Sequence, residues 1–158
     1  MMDASQPGKH FLYPGNLFVA AEESSITTVL GSCVAVCLWD WMQHRGGMNH
    51  FMLPLWNGEG LPTPKYGNIA MEKLLERVLA MGCHRHHLVA KVFGGANISG
   101  TGREAFQIGD RNITLALQTL EEWGITVAAS DLGGRACRKI IMNTLTGEVL
   151  LGRGKPPQ

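Results

Sequence analysis

The stretch TTVLGSCVAVCLWDWMQHRGGMNHFMLP, residues 27–54, contains two apolar runs separated by a short polar segment. The first run is CVAVCLW (33–39), which is rich in apolar and β-branched residues and too short to favour a helix. The second run is MNHFMLP (48–54), which Pro54 closes. Together the two runs predict an antiparallel β-hairpin.

One register of this hairpin places Cys33 opposite His50 and leaves a four-residue loop at 40–43. Directly opposed side chains share a face of the sheet, with their Cβ atoms about 4.5–5.5 Å apart. A thiol beside an imidazole can act as a nucleophile, because the ring takes the thiol proton. Most buried cysteines, however, are small core residues. The hairpin alone therefore leaves both a catalytic and a packing role open for Cys33.

Composition restricts the class of protein. The 158 residues fit one domain, and the 45% hydrophobic and 17% charged content is typical of a compact core. A net charge of +1 with scattered Lys and Arg argues against nucleic acid as a partner. No apolar run reaches the roughly 18 residues of a membrane span, and the N-terminus lacks a secretory pattern. We therefore expect a cytoplasmic protein without membrane insertion, with its cysteines reduced.

Beyond the hairpin, the pattern mixes strands with two helices. Residues 68–81 (NIAMEKLLERVLAM) carry one apolar stripe and predict a helix that ends at Gly82. A second helix is predicted to start after Asp110 as its N-cap and to end at Gly124. Further strands are predicted over 17–20, 87–93, 125–130, 137–143 and 148–152.

These elements predict a single α/β (α+β) domain over residues 17–152. Residues 1–16 contain Pro7, Pro14 and Gly15 and are predicted to form a flexible N-terminal arm, and residues 153–158 form a tail. No internal repeat or long linker divides the chain.

Two other segments suggest binding. The run CHRHH (83–87) contains possible zinc ligands, but its spacing matches no closed set of four, so a solvated turn is the preferred interpretation. The loop FGGANISG (93–100) is rich in glycine but lacks the lysine and the spacing of a phosphate loop. This loop is instead expected to form a rim for a substrate or partner.

At the level of whole motifs, the chain resembles the CheD family of chemoreceptor glutamine deamidases of bacterial chemotaxis. The resemblance is carried by LGSCVAVCLWD, GGMNHFMLP, KYGNIAMEKLLERVLAMG, AKVFGGAN, IGDRN and DLGGRACRKIIMNTLTGEV, in that order. It covers nearly all of residues 16–150. It implies an α/β sandwich related to the catalytic domain of cytotoxic necrotizing factor toxins, with papain-like cysteine chemistry.

The resemblance also implies the site. Cys33 would be the nucleophile, His50 its base, and Thr27 the residue that orients the ring, with Thr28 as the neighbouring alternative. The amide of Cys33, with Ser32, would stabilise the oxyanion. The loop of Phe93, Gly94 and Gly95 is expected to border the site and to receive a partner. No metal and no cofactor is expected.

The implied reaction converts receptor glutamines to glutamate through a cysteine thioester and releases ammonia. Methyl-accepting chemotaxis receptors would be the substrates. Two alternatives stay open from the sequence. The chain could act mainly as a stoichiometric regulatory partner of a CheC-type phosphatase that acts on CheY-phosphate, or an amine could replace water in a transglutaminase-like transfer.

Overall fold

A computed structural model describes residues 8–97 and 103–154, without the side chains of residues 103–107. In these ranges the chain forms nine strands, two α-helices and one short 3₁₀ helix at Arg85–His87. The strands are β1 Lys9–Phe11, β2 Leu17–Ala20, β3 Ser25–Leu30, β4 Val34–Asp40, β5 Arg45–Asn49, β6 Leu88–Gly94, β7 Thr126–Leu132, β8 Cys137–Asn143 and β9 Val149–Gly154. The helices are α1 Gly67–Ala80 and α2 Arg103–Trp123. Within this part of the chain, no helix has both the length and the apolarity that crossing a membrane requires.

The strands form two sheets. A five-stranded sheet has the order β2-β5-β4-β6-β7, and a four-stranded sheet has the order β1-β3-β8-β9. Most neighbouring strands are antiparallel, but β6 pairs with β7 and β1 pairs with β3 in parallel. Helices α1 and α2 pack on the five-stranded sheet and on each other. The result is three layers, in which the five-stranded sheet lies between the helices and the second sheet.

Strand β4 is buried on both faces because it lies at the centre of these layers. Val34, Val36 and Leu38 belong to the core cluster that includes residues of α1 and α2. Ala35 and Cys37 alternate with them and belong to the second cluster, which includes residues of β3 and β8. A strand covered on both sides needs apolar residues at every position, which explains the unbroken run VAVCL.

The predicted mixture of helix and strand in one domain is confirmed. The first helix covers Gly67–Ala80, within one residue of the predicted bounds, and β8 covers the predicted residues 137–143. The predicted hairpin is present as β4 and β5, and its loop covers residues 41–44. Strand β5 ends at Asn49, so His50 follows the strand instead of lying within it.

The structure differs from the sequence predictions in four respects. Helix α2 begins at Arg103, so Asp110 lies inside the helix on its exposed side and is not its N-cap. Strands β1 and β3 were not predicted. The described part of the supposed flexible arm is ordered, since Lys9–Phe11 pairs with β3 and Leu12 is buried. At the other end, β9 continues to Gly154, two residues into the predicted tail.

Candidate active site

The side chain of His50 connects the two sheets. His50 follows β5 of the five-stranded sheet, and its Nδ1 lies 2.7 Å from Oγ1 of Thr28 on β3 of the other sheet. The backbone of His50 is held by the segment before β2: Gly15 donates to its carbonyl at 2.8 Å, and its own amide donates to Asn16 at 3.1 Å. The N-terminal segment therefore forms one wall of this site.

A second hydrogen bond determines which ring nitrogen of His50 carries the proton. Oγ1 of Thr28 also lies 2.6 Å from the carbonyl oxygen of Leu12. That carbonyl can only accept, and a hydroxyl has one proton, so Thr28 donates to Leu12 and must accept from His50. In the neutral imidazole Nδ1 then carries the hydrogen, which leaves Nε2 with a free lone pair.

That Nε2 atom is buried and has no hydrogen-bond partner in the described ranges 8–97 and 103–154. His50 as a whole is 1% exposed. Burial lowers the pKa of His50 from its ordinary 6.5 to about 4, because the protonated ring would lose its hydration. The imidazole is therefore neutral at physiological pH and has its basic nitrogen available for a proton.

Cys33 lies on the same face of the five-stranded sheet as His50. In the observed register Cys37 pairs with Met48, and Val34 pairs with Phe51 through two mutual hydrogen bonds. This pairing is shifted by two positions from the predicted one, so Cys33 lies diagonal to His50 and not directly opposite. A shift of two keeps both residues on one face. Cα atoms at diagonal positions are typically about 7–8 Å apart.

Cys33 is half-buried. Burial raises the pKa of the Cys33 thiol, and the amide of Cys33 itself acts in the opposite direction as a hydrogen-bond donor. With the pKa of the thiol raised and that of the imidazole lowered, both groups are neutral at rest. The proton would therefore move to Nε2 when the sulfur attacks.

The loop before β4 is held through three successive carbonyl groups. The carbonyl of Gly31 accepts from the amide of Ala96, and that of Cys33 accepts from the amide of Gly95, each at 2.9 Å. The carbonyl of Ser32 accepts from the side chain of Asn112 on α2 at 3.1 Å. Three hydrogen bonds, from Ala96, Gly95 and Asn112, therefore fix the backbone that carries Cys33.

The loop of Phe93, Gly94 and Gly95 packs beneath the backbone of Cys33. The prediction that this loop forms an exposed rim is therefore wrong. Phe93 is 5% exposed and packs in the core between the sheets. Gly94 has φ +112°, and a Cβ there would overlap the carbonyl oxygen of Cys33. A Cβ on Gly95 would overlap the side chain of Ile113. The glycines allow close approach to the protein's own chain, not to a partner.

The predicted contact of Thr27 with His50 is also wrong, because Thr28 makes it. Successive side chains of a strand point to opposite faces, and on β3 the buried positions are Ile26, Thr28 and Leu30. Thr27 pairs with Ile141 across the sheet and lies on the outer face. Since β3 was not predicted, the sequence offered no way to assign its inward positions.

Sequence reasoning missed Leu12 and Asn112. Leu12 contributes through its main chain, for which side-chain patterns give no signal. For Asn112 the sequence did contain a signal. This residue lies four residues before Ala116, and therefore on the apolar stripe of α2. A polar residue at such a position is buried and needs a partner.

The CHRHH segment lies at the other end of the hairpin. Cys83 is buried, and the ring of His87 lies 3.9 Å from the carboxylate of Asp40. Among the residues whose placement is described, no group of three or more His, Cys, Asp or Glu side chains is arranged to hold a metal ion.

Comparison with known proteins supports the resemblance. The family described as CheD chemotactic sensory transduction matches residues 52–153. A protein of Trichlorobacter lovleyi named probable chemoreceptor glutamine deamidase CheD is 69% identical over 153 residues, covering 97% of this chain and 95% of that protein. Proteins of the same name from Sulfurimonas denitrificans and, as CheD 1, from Anaeromyxobacter dehalogenans are 49% and 47% identical, covering 90% and 87% of this chain and 92% and 80% of their own lengths. The chain therefore belongs to the CheD family.

Proposed function

We propose that this protein is a cytoplasmic, cysteine-dependent deamidase that converts glutamine side chains of chemotaxis receptors to glutamate. The observation that carries the proposal is the unpartnered, buried Nε2 of His50 on the same sheet face as Cys33. The names of the relatives, chemoreceptor glutamine deamidases, supply the substrate class. Amide hydrolysis needs a nucleophile and a base within reach of each other, and these two residues have that chemistry.

The first half of the reaction transfers the acyl group to sulfur. Nε2 of His50 takes the thiol proton as Sγ of Cys33 attacks the carboxamide carbon, and the amide N–H of Cys33 stabilises the resulting oxyanion. The carbon–nitrogen bond then breaks. The imidazolium returns its proton to the leaving nitrogen, so ammonia departs and a thioester remains on Cys33.

The second half restores the enzyme. Nε2 of His50 removes a proton from water, the hydroxide attacks the thioester carbon, and the sulfur leaves and regains the proton. The net change is the replacement of NH₂ by OH on the receptor side chain. Thr28 and Leu12 keep Nδ1 protonated in both halves, so that Nε2 is the nitrogen that accepts and returns the proton.

The expected likeness to papain and to the cytotoxic necrotizing factor catalytic domain forms part of this proposal. The two-sheet sandwich and the cysteine–histidine pair support it. The pair in this protein is neutral at rest, since burial raises the pKa of Cys33 and lowers that of His50. The chemistry therefore relies on proton transfer during attack, not on an ion pair formed in advance.

The decisive experiment is intact-mass analysis of receptor cytoplasmic fragments incubated with the protein, together with an assay for ammonia. Wild type should add about one mass unit per glutamine converted, with one ammonia per event. Cys33→Ala should abolish both signals. Cys137→Ala is the matched control, because Cys137 is also half-buried but lies on β8, and it should retain full activity. Activity in Cys33→Ala, or none in wild type, would refute the proposal.

The same assay tests one of the two alternatives that the sequence left open. A transglutaminase-like transfer would give products heavier by the mass of an added amine. The second alternative, a CheC-type phosphatase as a partner, needs a separate experiment. Binding of purified phosphatase to the Cys33→Ala variant, which should lack deamidase activity, tests it. Binding without any deamidation by wild type would favour the regulatory role.

A further inference from the structure

Asn112 on α2 joins the two segments that carry the proposed nucleophile and base. Its side chain is completely buried, and Nδ2 donates to the carbonyl oxygens of Ser32 and Met52, each at 3.1 Å. Ser32 precedes Cys33, and Met52 lies two residues after His50. Oδ1 of Asn112 has no hydrogen-bond partner within the described residues. Asn112 is therefore used for its two donated hydrogen bonds.

The bond to Ser32 has a direction that matters for the chemistry. In a trans peptide the C=O of one residue and the N–H of the next point to opposite sides of the chain. Asn112 holds the Ser32 carbonyl toward the helix layer, so the N–H of Cys33 points away from that layer. The side away from the helix layer is the one that faces the second sheet, where Thr28 contacts His50.

A hydrogen bond on the carbonyl also changes the donor strength of the same peptide group. Polarisation along a chain of hydrogen bonds strengthens each bond by about 10–30%. The N–H of Cys33 is therefore both aimed and strengthened by Asn112. These are the two properties that a donor to a developing oxyanion requires.

The fold does not depend on this bond to hold the loop as a whole. Backbone amides already bind the carbonyls of Gly31 and Cys33, and the amide of Met52 donates to the carbonyl of Lys65 at 2.8 Å. Of the three carbonyls before β4, the one at Ser32 is held by a side chain. The effect of Asn112 is thus concentrated on the Ser32–Cys33 peptide.

Helix α2 approaches the loop closely enough for this contact because of Gly109. A Cβ at this position would overlap the backbone of Gly95. Residues 109 and 112 are three apart and lie on the same face of the helix. The close approach at Gly109 thus brings the amide of Asn112 within reach of Ser32.

From these contacts we infer that Asn112 is a positioning residue, which sets the Ser32–Cys33 peptide so that the N–H of Cys33 stabilises the oxyanion. The inference rests on the proposed deamidase function. It assigns to the IGDRN motif a role that the cysteine, histidine and threonine do not cover. Asn112 itself touches neither the thiol nor the imidazole through any hydrogen bond described.

Two reactions of Cys33 separate positioning from simple structural support. Attack on a glutamine carboxamide passes through an oxyanion, whereas iodoacetamide reacts by displacement at a saturated carbon and forms none.

Asn112→Leu keeps the approximate size of the side chain and removes both donors. We expect kcat for deamidation of a receptor fragment to fall at least about tenfold, because loss of an oxyanion donor commonly costs about 10²–10³ in kcat. KM and the rate of iodoacetamide alkylation should stay within about threefold of wild type, because alkylation forms no oxyanion.

Thr144→Val is the matched control. Thr144 is also completely buried and joins two backbone segments, since its hydroxyl donates to Glu22 at 3.0 Å and accepts from the amide of Ser24 at 2.8 Å. Its carbonyl binds Trp39, which lies at the end of β4 away from Cys33. This variant should lose stability without a fall in kcat. Asn112→Gln, which retains the amide donors, should recover part of the activity lost in Asn112→Leu.

The other outcomes would overturn the inference. Equal losses of deamidation and alkylation in a folded Asn112→Leu protein would place Asn112 in support of the thiol–imidazole pair as a whole. Unchanged kcat would make it a structural residue, and so would failure of both Asn112→Leu and the less demanding Asn112→Ala to fold. Absence of deamidation in wild type, by contrast, would refute the proposed function itself, so the two failures are distinguishable.

Discussion

The hydroxyl oxygen of Thr28 lies 2.7 Å from Nδ1 of His50, although the two residues belong to segments of different sheets. The Leu12 carbonyl, which accepts the Thr28 proton at 2.6 Å, gives this contact its direction. A side chain from one layer thus sets the protonation of a ring in the other. Substitution of Thr28 should therefore affect deamidation differently from substitution of its neighbour Thr27.

Thr28→Val should lower deamidation at least about tenfold, because the ring loses the acceptor that keeps Nδ1 protonated and Nε2 basic. Valine has nearly the same shape, so the packing between the sheets should change little. The measurement combines kcat for a receptor fragment with ¹⁵N shifts of the His50 ring, which report the tautomer directly.

Two companion variants complete this test. Thr28→Ser retains the hydroxyl and should recover most of the activity. Thr27→Val alters the outward neighbour on β3 and should behave as wild type. If Thr27→Val were the damaging variant and Thr28→Val were active, the proposal that Thr28 orients His50 would be wrong.

The buried, neutral His50 predicts a loss of stability in acid. Its pKa is about 4 in the folded protein and 6.5 ordinarily, so between these values the unfolded chain binds a proton that the folded protein does not. The stabilising contribution is complete above about pH 6.5 and declines as the pH falls toward 4. From near pH 7 to about pH 5 the free energy of unfolding should decrease by on the order of 2 kcal/mol from this group alone.

Urea unfolding of wild type and His50→Asn at these two pH values checks this. Asparagine can still donate to Thr28 but does not titrate, so the variant should lose less stability on acidification. The other five histidines are common to both proteins and cancel in the difference. Parallel losses would mean that His50 is protonated in the folded state. His50→Asn should also abolish deamidation, since it lacks Nε2.

Gly94→Ala should disturb the backbone of Cys33, the proposed nucleophile. A methyl group there would overlap the carbonyl oxygen of Cys33, and the positive φ of 112° disfavours any side chain. We expect lower stability together with a fall in both deamidation and alkylation of Cys33, because the backbone of that residue must move. This joint fall differs from the selective effect expected at Asn112.

Gly124→Ala is the control for backbone strain. Gly124 also has a positive φ, of 70°, but a Cβ there would meet nothing within 4 Å. Its cost should be limited to about 1 kcal/mol in the free energy of unfolding, with full catalytic activity. Similar activity losses in both variants would show that strain, not the contact with Cys33, is responsible.

The pattern of apolar residues predicted the helices and strands that are buried on one face or on both faces. The apolar stripe of Met71, Leu74 and Val78 marks α1 because only one face of that helix meets the sheet. The unbroken run in β4 marks a strand covered from both sides. Cys33 and His50 still lie on one face of the sheet despite a register error of two positions, because such a shift leaves each side chain on its own face.

The features that local patterns missed depend on contacts distant in the sequence. Strand β3 has the ambiguous sequence SITTVL, and it pairs in the sheet with β8, more than 100 residues later. Leu12 accepts the hydrogen bond from Thr28 through its backbone carbonyl, so its residue type does not indicate this contact. Gly94 and Gly95 were assigned to a partner because their real neighbours, Cys33 and Ile113, are not adjacent in sequence.

The division of the site between two layers has a consequence for the newly made protein. The hairpin of β4 and β5 brings Cys33 and His50 to one surface, but the ring is neither enclosed nor oriented until β3 and the segment at Leu12 dock against it. Under the proposed function, catalytic competence thus depends on the docking of β3 and the Leu12 segment onto the hairpin, and not on the hairpin alone.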